Sequence, residues 1–241
     1  MTPTATPSVT LWAMPTVGLA EVDVARWTAV LDDTERARVA RLAIPRTRIE
    51  YVAAHALTRS LLSAATGEKP TAFRYEAGFK GKPSAFIGDR PLDLHFNVSH
   101  TDGLVAVAAS HHFELGIDVE AVDRGVDLAV ADRYFFGSEA DWLARQPSDR
   151  QLECFLRLWT LKEAYIKATG RGLSQPLNEF WFDVDPPRIR FTSAIDDDEQ
   201  AWRFHQWVLA DRFLVSAGWR NAGNTDPVLT IEMKRPAELR F

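Results

Sequence analysis

A single cysteine, Cys154, occurs in the 241 residues. That excludes an intrachain disulfide and a cysteine-based zinc site, and its setting in an apolar helical pattern points to a buried structural thiol. Long hydrophobic runs are missing too: no apolar stretch approaches the roughly 20 residues that span a bilayer. The opening segment M-T-P-T-A-T-P-S has neither the basic start nor the apolar core of a secretory signal. A cytoplasmic protein with no membrane partner is the expectation. Positive charge is also short, with 28 Lys and Arg against 33 Asp and Glu and a net charge of −5. This argues against nonspecific nucleic-acid binding, which needs a broad basic surface.

What remains is a folded chain. Hydrophobic residues make up 46% and there are eight Trp, enough for one large domain or two small ones. Basic residues bunch at Arg36, Arg38, Arg41, Arg46, Arg48 and Arg59. Such a bunch is either a solvated helix face or a phosphate-binding surface.

The pattern predicts a strand at 9–14 and one helix over 19–42, broken by Pro45. A second helix is expected at about 47–65, stopping at Gly67. A strand at 73–76 leads into the loop G-F-K-G-K-P, Gly78 to Pro83, whose glycines and lysines suit a closely approached phosphate. A hairpin follows, 92–100 and 104–110, turning at Thr101-Asp102-Gly103, and then a strand at 113–120. Helices are expected at 127–136 and 138–144 and from about Asp149. Later strands fall at 180–184, 188–191, 202–209, 213–219 and 228–233, with an acidic turn at 195–200. Weak echoes between the two parts (L-S-A-A-T-G with I-K-A-T-G, A-V-A-A with L-V-S-A) suggest two similar α+β halves joined near residue 113.

Two stretches carry chemistry. The strand ending in G-I-D-V-E alternates, so Asp118 and Glu120 share one face about 7 Å apart, where two carboxylates can hold a hard divalent cation. The alternative is a half-exposed strand with acidic outer residues. The helix F-L-R-L-W-T-L-K-E-A-Y-I-K-A-T-G-R-G-L, Phe155 to Leu173, brings Trp159, Lys162, Glu163 and Lys167 onto one side within roughly 12 Å of axial rise. Read alone, Glu163 and Lys167 make an ordinary surface pair.

Four ordered motifs make the chain resemble the Sfp-type 4′-phosphopantetheinyl transferases: G-K-P at 81–83, F-N-V-S-H at 96–100, G-I-D-V-E at 116–120 and W-T-L-K-E-A-Y-I-K at 159–167. The resemblance implies an α+β monomer of two similar α/β halves, 1–113 and 114–241, related by a pseudo-twofold axis with the active site in the cleft between them. It implies transfer of the phosphopantetheine arm of coenzyme A to a serine of an apo acyl or peptidyl carrier protein, releasing 3′,5′-ADP. By motif position, Asp118, Glu120 and Glu163 would hold Mg²⁺. Lys82, Ser99, His100 and Lys162 or Lys167 would contact the phosphates, and Lys162 would be catalytic together with Glu163. Glu163 is the candidate base for the serine proton, and the motif leaves open how it divides between base and metal ligand. Glu50 and His55 stand where relatives commonly carry basic residues, so Arg48 and Arg59 are the substitutes for the 3′-phosphate. Arg124, Arg133 and the aromatics Tyr134-Phe135-Phe136 are the candidate carrier-docking surface.

Overall fold

The computed structural model describes residues 6–78, 82–221, 223 and 226–241. The chain divides into two units, one of Met1–His112 with Pro227–Phe241 and one of Phe113–Asp226. The α+β class holds, with helices and β-sheet in both units.

The first unit is built on a four-stranded sheet of β1 (Ser8–Pro15), β5 (His95–Thr101), β6 (Leu104–Ser110) and β12 (Val228–Met233), in the order β12-β1-β6-β5. All seven residues of β6 are buried. The helix α3 (Pro45–Thr66) covers this sheet through Val52, Ala56, Leu57 and Leu61, each large aliphatic residue contributing on the order of 2 kcal/mol by leaving water. The expected break at Pro45 is present: α2 ends before it, and Pro45 occupies the first turn of α3, where its missing N–H costs nothing and its fixed φ suits a helix. The single helix expected over 19–42 is two, α1 (Glu21–Thr28) and α2 (Asp33–Arg41). Asp32 caps α2 in a box with Glu35, each side chain accepting the other's backbone N–H, and this local closure outcompetes continuation of α1. A small sheet of β2 (Phe73–Ala77), β3 (Pro83–Ile87) and β4 (Arg90–Pro91) completes the unit. β3 and β4 were not anticipated, and part of the expected phosphate loop, 79–81, lies outside the described residues.

Residues 227–241 were expected with the second half and belong instead to the first. β12 pairs in parallel with β1, from Ser8 opposite Val228 to Ala13 opposite Met233. Trp12 donates its indole N–H to Glu232, and the Lys234 ammonium sits 4.0 Å over the Trp12 ring.

The second unit has a three-stranded antiparallel sheet, β10 (Trp202–Leu209), β11 (Phe213–Arg220) and β7 (Leu115–Ala121), in that order. α6 (Gln151–Thr169) lies on β7 and β11. α4 (Ala129–Tyr134) and α5 (Gly137–Ala144) precede it, and the hairpin of β8 (Phe180–Val184) and β9 (Pro187–Phe191) follows. Gly170 closes α6 in the left-handed conformation that favours glycine. Leu158, Leu161, Tyr165 and Ile166 bury the packing face of α6, with Tyr165 against Phe180, Phe191 and Trp202. Cys154 is buried, as its helical setting suggested, and burial pushes its thiol pKa up. No described helix is long and apolar enough to cross a membrane.

Candidate active site

In the second unit, β7 and α6 run in unusually close contact. Gly116 permits this: a Cβ there would lie 2.2 Å from the Ala164 carbonyl oxygen and 2.3 Å from the Ala168 nitrogen. Two residues along β7, Asp118 is 5% exposed, and its Oδ1 accepts a 2.6 Å ion-pair hydrogen bond from the Lys167 ammonium. Glu120, two residues further on the same face, is paired with Arg124. Glu163, one helical turn before Lys167, is half-buried. Burial and then the charge of Asp118 push its carboxyl up to about 7, with Glu120 adding to the rise and Lys167 opposing it. Asp118, Glu120 and Glu163 therefore sit within electrostatic reach of one another, and Lys167 lies among them.

Lys162 does not share that face, so the polar stripe read from the sequence divides. Its ammonium has no exposure and is fully engaged: it donates to the Leu177 and Phe180 carbonyls at 2.8 and 2.7 Å and pairs with Glu139 at 2.7 Å. It also lies 4.4 Å over the Phe180 ring. Burial pulls the ammonium pKa down to about 8, and the attraction of Glu139 opposes that fall. The expected catalytic or phosphate-contacting role of Lys162 is thus corrected, since every one of its three N–H groups is spent inside the core. Trp159 stacks on Phe155 and Phe135 at 5.9 and 6.5 Å, a packing role.

The first unit holds the other expected contacts. Ser99 and His100 are neighbours on β5, so they point to opposite faces: Ser99 is buried, His100 exposed. Lys82, half-buried, directly precedes β3, and Gly81 of its motif lies outside the described residues. Arg48 is exposed near the start of α3 and donates to the Leu42 carbonyl at 3.1 Å. Arg59 is corrected. It has no exposure, donates to the Pro70 and Phe73 carbonyls at 2.7 and 2.8 Å, and pairs with Glu35, with its guanidinium 5.0 Å over the Tyr75 ring. His55 pairs with Glu35 from the other side. Burial opposes ionisation of Glu35, but His55 and Arg59 together hold its carboxyl below the usual range. Arg59 is a buried structural cation with no donor left for a ligand phosphate in this arrangement, apart from its Nε–H.

Of the expected docking aromatics, Phe135 is buried and stacks on Phe155, and Phe136 stacks on Trp181 at 4.5 Å. Tyr134 is exposed beneath the Arg133 guanidinium. Two partners have no signature in the sequence: Arg124 as the counterion of Glu120 and Glu139 as the partner of Lys162. No local pattern links positions 139 and 162. The close approach at Gly116 had a signal, since Ala164 and Ala168 form a small-residue pair one turn apart on the facing helix.

Comparison with known proteins supplies the family. The model of the 4′-phosphopantetheinyl transferase superfamily matches residues 114–219, the stretch that contains β7, α6 and all three carboxylates. The chain is 34% identical over 170 residues to the 4′-phosphopantetheinyl transferase HetI of a Nostoc species, covering 69% of this chain and 70% of that protein. It is 43% identical over 92 residues to 4′-phosphopantetheinyl transferase gsp of Aneurinibacillus migulanus, 38% of each chain. It is 36% identical over 124 residues to 4′-phosphopantetheinyl transferase Sfp of Bacillus subtilis, 52% of this chain and 53% of that protein. With HetI matched over more than two thirds of its length, and the carboxylate pair and its facing helix inside the family segment, the chain belongs to the 4′-phosphopantetheinyl transferase family.

Proposed function

We propose that this protein transfers the 4′-phosphopantetheine arm of coenzyme A to a serine hydroxyl of an apo acyl or peptidyl carrier protein, releasing 3′,5′-ADP, as a cytoplasmic monomer. The observation that carries the reading is the cluster of Asp118, Glu120 and Glu163 with Lys167, inside the segment that the family model matches.

Three clustered carboxylates are hard oxygen donors of the kind Mg²⁺ takes. Among the described residues no three acidic, His or Cys side chains already converge as a metal cage. Asp118 and Glu120 are instead engaged by Lys167 and Arg124, so holding an ion means exchanging those cations for it. Asp118, Glu120 and Glu163 would be its ligands, and a bound Mg²⁺ would neutralise charge on the diphosphate of coenzyme A. Lys167, released from Asp118, has the reach of a phosphate partner on the same helix. Lys82, Ser99, His100 and Arg48 are the phosphate contacts proposed from the first unit.

The reaction breaks the phosphoanhydride bond of coenzyme A. The serine oxygen forms a bond to the phosphorus that carries pantetheine, 3′,5′-ADP leaves with the bridging oxygen, and the serine proton passes to a base. Glu163 takes that proton directly or through water, being the carboxylate of the cluster that is carried on α6. Lys167 stabilises charge that grows on the phosphate oxygens as the bond opens, in general the largest catalytic contribution.

Incubating the protein with coenzyme A, Mg²⁺ and an apo carrier protein and weighing the carrier by mass spectrometry tests the proposal. A gain of one phosphopantetheine is the expected result. Release of free phosphopantetheine with an unmodified carrier would instead make the protein a hydrolase.

Arg124 gives a second test. Arg124→Ala removes an exposed competitor for Glu120, so Mg²⁺ affinity measured by calorimetry should rise about twofold to fivefold, the scale of a surface ion pair. A carrier KM that rises while Mg²⁺ affinity stays constant would return Arg124 to carrier docking.

A further inference from the structure

The buried Lys162 and Glu139 are ionisable groups that the proposed chemistry does not use. Their bonding is complete on both sides. The Lys162 ammonium spends its three N–H groups on Glu139, the Leu177 carbonyl and the Phe180 carbonyl. The Glu139 carboxylate accepts from Lys162, from the Phe136 N–H at 3.1 Å and from the Phe182 N–H at 2.9 Å. Glu139 is 2% exposed and Lys162 has no exposure. All of Glu139's neighbours are donors and all of Lys162's are acceptors, so the pair is held as carboxylate and ammonium.

An ion pair sealed in a core is a weak source of stability, because desolvation offsets most of the attraction and apolar residues of similar volume do as well. What it adds is directional demand. The pair joins four pieces of chain to one point: the start of α5, the segment around Leu177, the beginning of β8 and the middle of α6. Lys162 immediately precedes Glu163, so their side chains leave α6 about 100° apart. Anchoring one sets the azimuth of the other. On the opposite side, the backbone contact at Gly116 fixes the distance from α6 to β7. Apolar packing of Leu158, Leu161, Tyr165 and Ile166 holds the helix against its neighbours without directional bonds, and the Lys162 anchor adds the directional constraint.

We infer that the Lys162–Glu139 pair is a positioning device that fixes the rotation of α6 and so aims Glu163 at the carboxylates of β7. The inference rests on the role of Glu163 proposed above. Lys162 is then a positioning residue, acting through its neighbour and never touching the ligand.

The test uses the full-length protein with coenzyme A, Mg²⁺ and an apo acyl carrier protein, assayed at a temperature where circular dichroism shows each variant fully folded. Glu139→Gln keeps the volume and an acceptor but removes the charge. Lys162→Met with Glu139→Leu replaces the pair by apolar side chains. Both should lower kcat by about 10- to 100-fold, the scale expected when a catalytic group moves by an ångström or less. The KM for coenzyme A should stay within about threefold. Lys162→Arg, which keeps the charge, should recover more activity than the apolar pair. Folded variants that keep kcat within twofold of the parent would overturn the inference, and so would failure of Glu139→Gln to fold, which would make the pair a requirement of the fold itself. A parent protein that leaves the carrier unmodified would overturn the transferase reading, a separate outcome.

Discussion

Glu163→Gln is expected to stabilise the metal-free protein at pH 8 while reducing transfer by about 10²- to 10⁴-fold. The carboxyl of Glu163 is pushed from 4.5 up to about 7 by burial and by the neighbouring charge of Asp118. A carboxyl that binds its proton more tightly in the folded state favours folding at low pH, where it is protonated in both states. That advantage is lost as the pH rises through 4.5 to about 7, because the unfolded chain ionises first. Above pH 7 the folded protein carries the full penalty, at most about 3 kcal/mol for this shift. Glutamine has the same shape and no charge to bury. The melting temperature of Glu163→Gln should therefore exceed that of the parent by up to roughly 10 °C at pH 8, and the two should converge near pH 4 to 5. Thermal melts in EDTA across that range read the effect directly. A difference that does not vary with pH, or a variant that is less stable at pH 8, would contradict the electrostatic account. The stability stored against this residue is the usual signature of a side chain kept for function.

Gly116→Ala is expected to damage both fold and activity, although it adds one methyl group. The new Cβ would meet backbone atoms of α6 at 2.2 and 2.3 Å, well inside ordinary carbon contact distances. Backbone cannot swing aside as a side chain can, so α6 must move away from β7 by about an ångström. Overpacking of this kind costs about 1–3 kcal/mol. The same displacement separates Glu163 and Lys167 from Asp118 and Glu120, so transfer should fall about 10²-fold even in the folded fraction. Gly125→Ala is the control, since a Cβ there meets nothing within 4 Å, and it should leave melting and kinetics unchanged. If the two glycine variants behaved alike, the close approach would not be what sets the site.

The carboxylates and their elements were legible in the sequence because their signals are local. Alternation along G-I-D-V-E placed Asp118 and Glu120 on one face of β7, and helical spacing put Glu163 and Lys167 on one face of α6. The strands at 202–209 and 228–233 also emerged with their bounds. Lys162 and Arg59 were misread for a shared reason. A lone cation in an apolar helix gives no sign of which way it points, and the acids that receive these two, Glu139 and Glu35, lie 23 and 24 residues away in sequence. Pairing at that separation is decided by tertiary packing. Asp32 was the reverse case: its capping box with Glu35 is written in four consecutive residues and was overridden by the apolar periodicity running through it.

The return of β12 to β1 makes the second unit an uninterrupted segment and the first a split one. During synthesis, residues 113–226 are all available before Val228 to Met233 exist to pair with β1. The second unit can therefore complete its sheet and seat α6 while the first still has a bare strand edge, a template for wrong pairing until it is covered. β1 waits more than two hundred residues for its parallel partner, and loop closure over that length is slow. The site-bearing unit matures early, and the unit begun first is finished last.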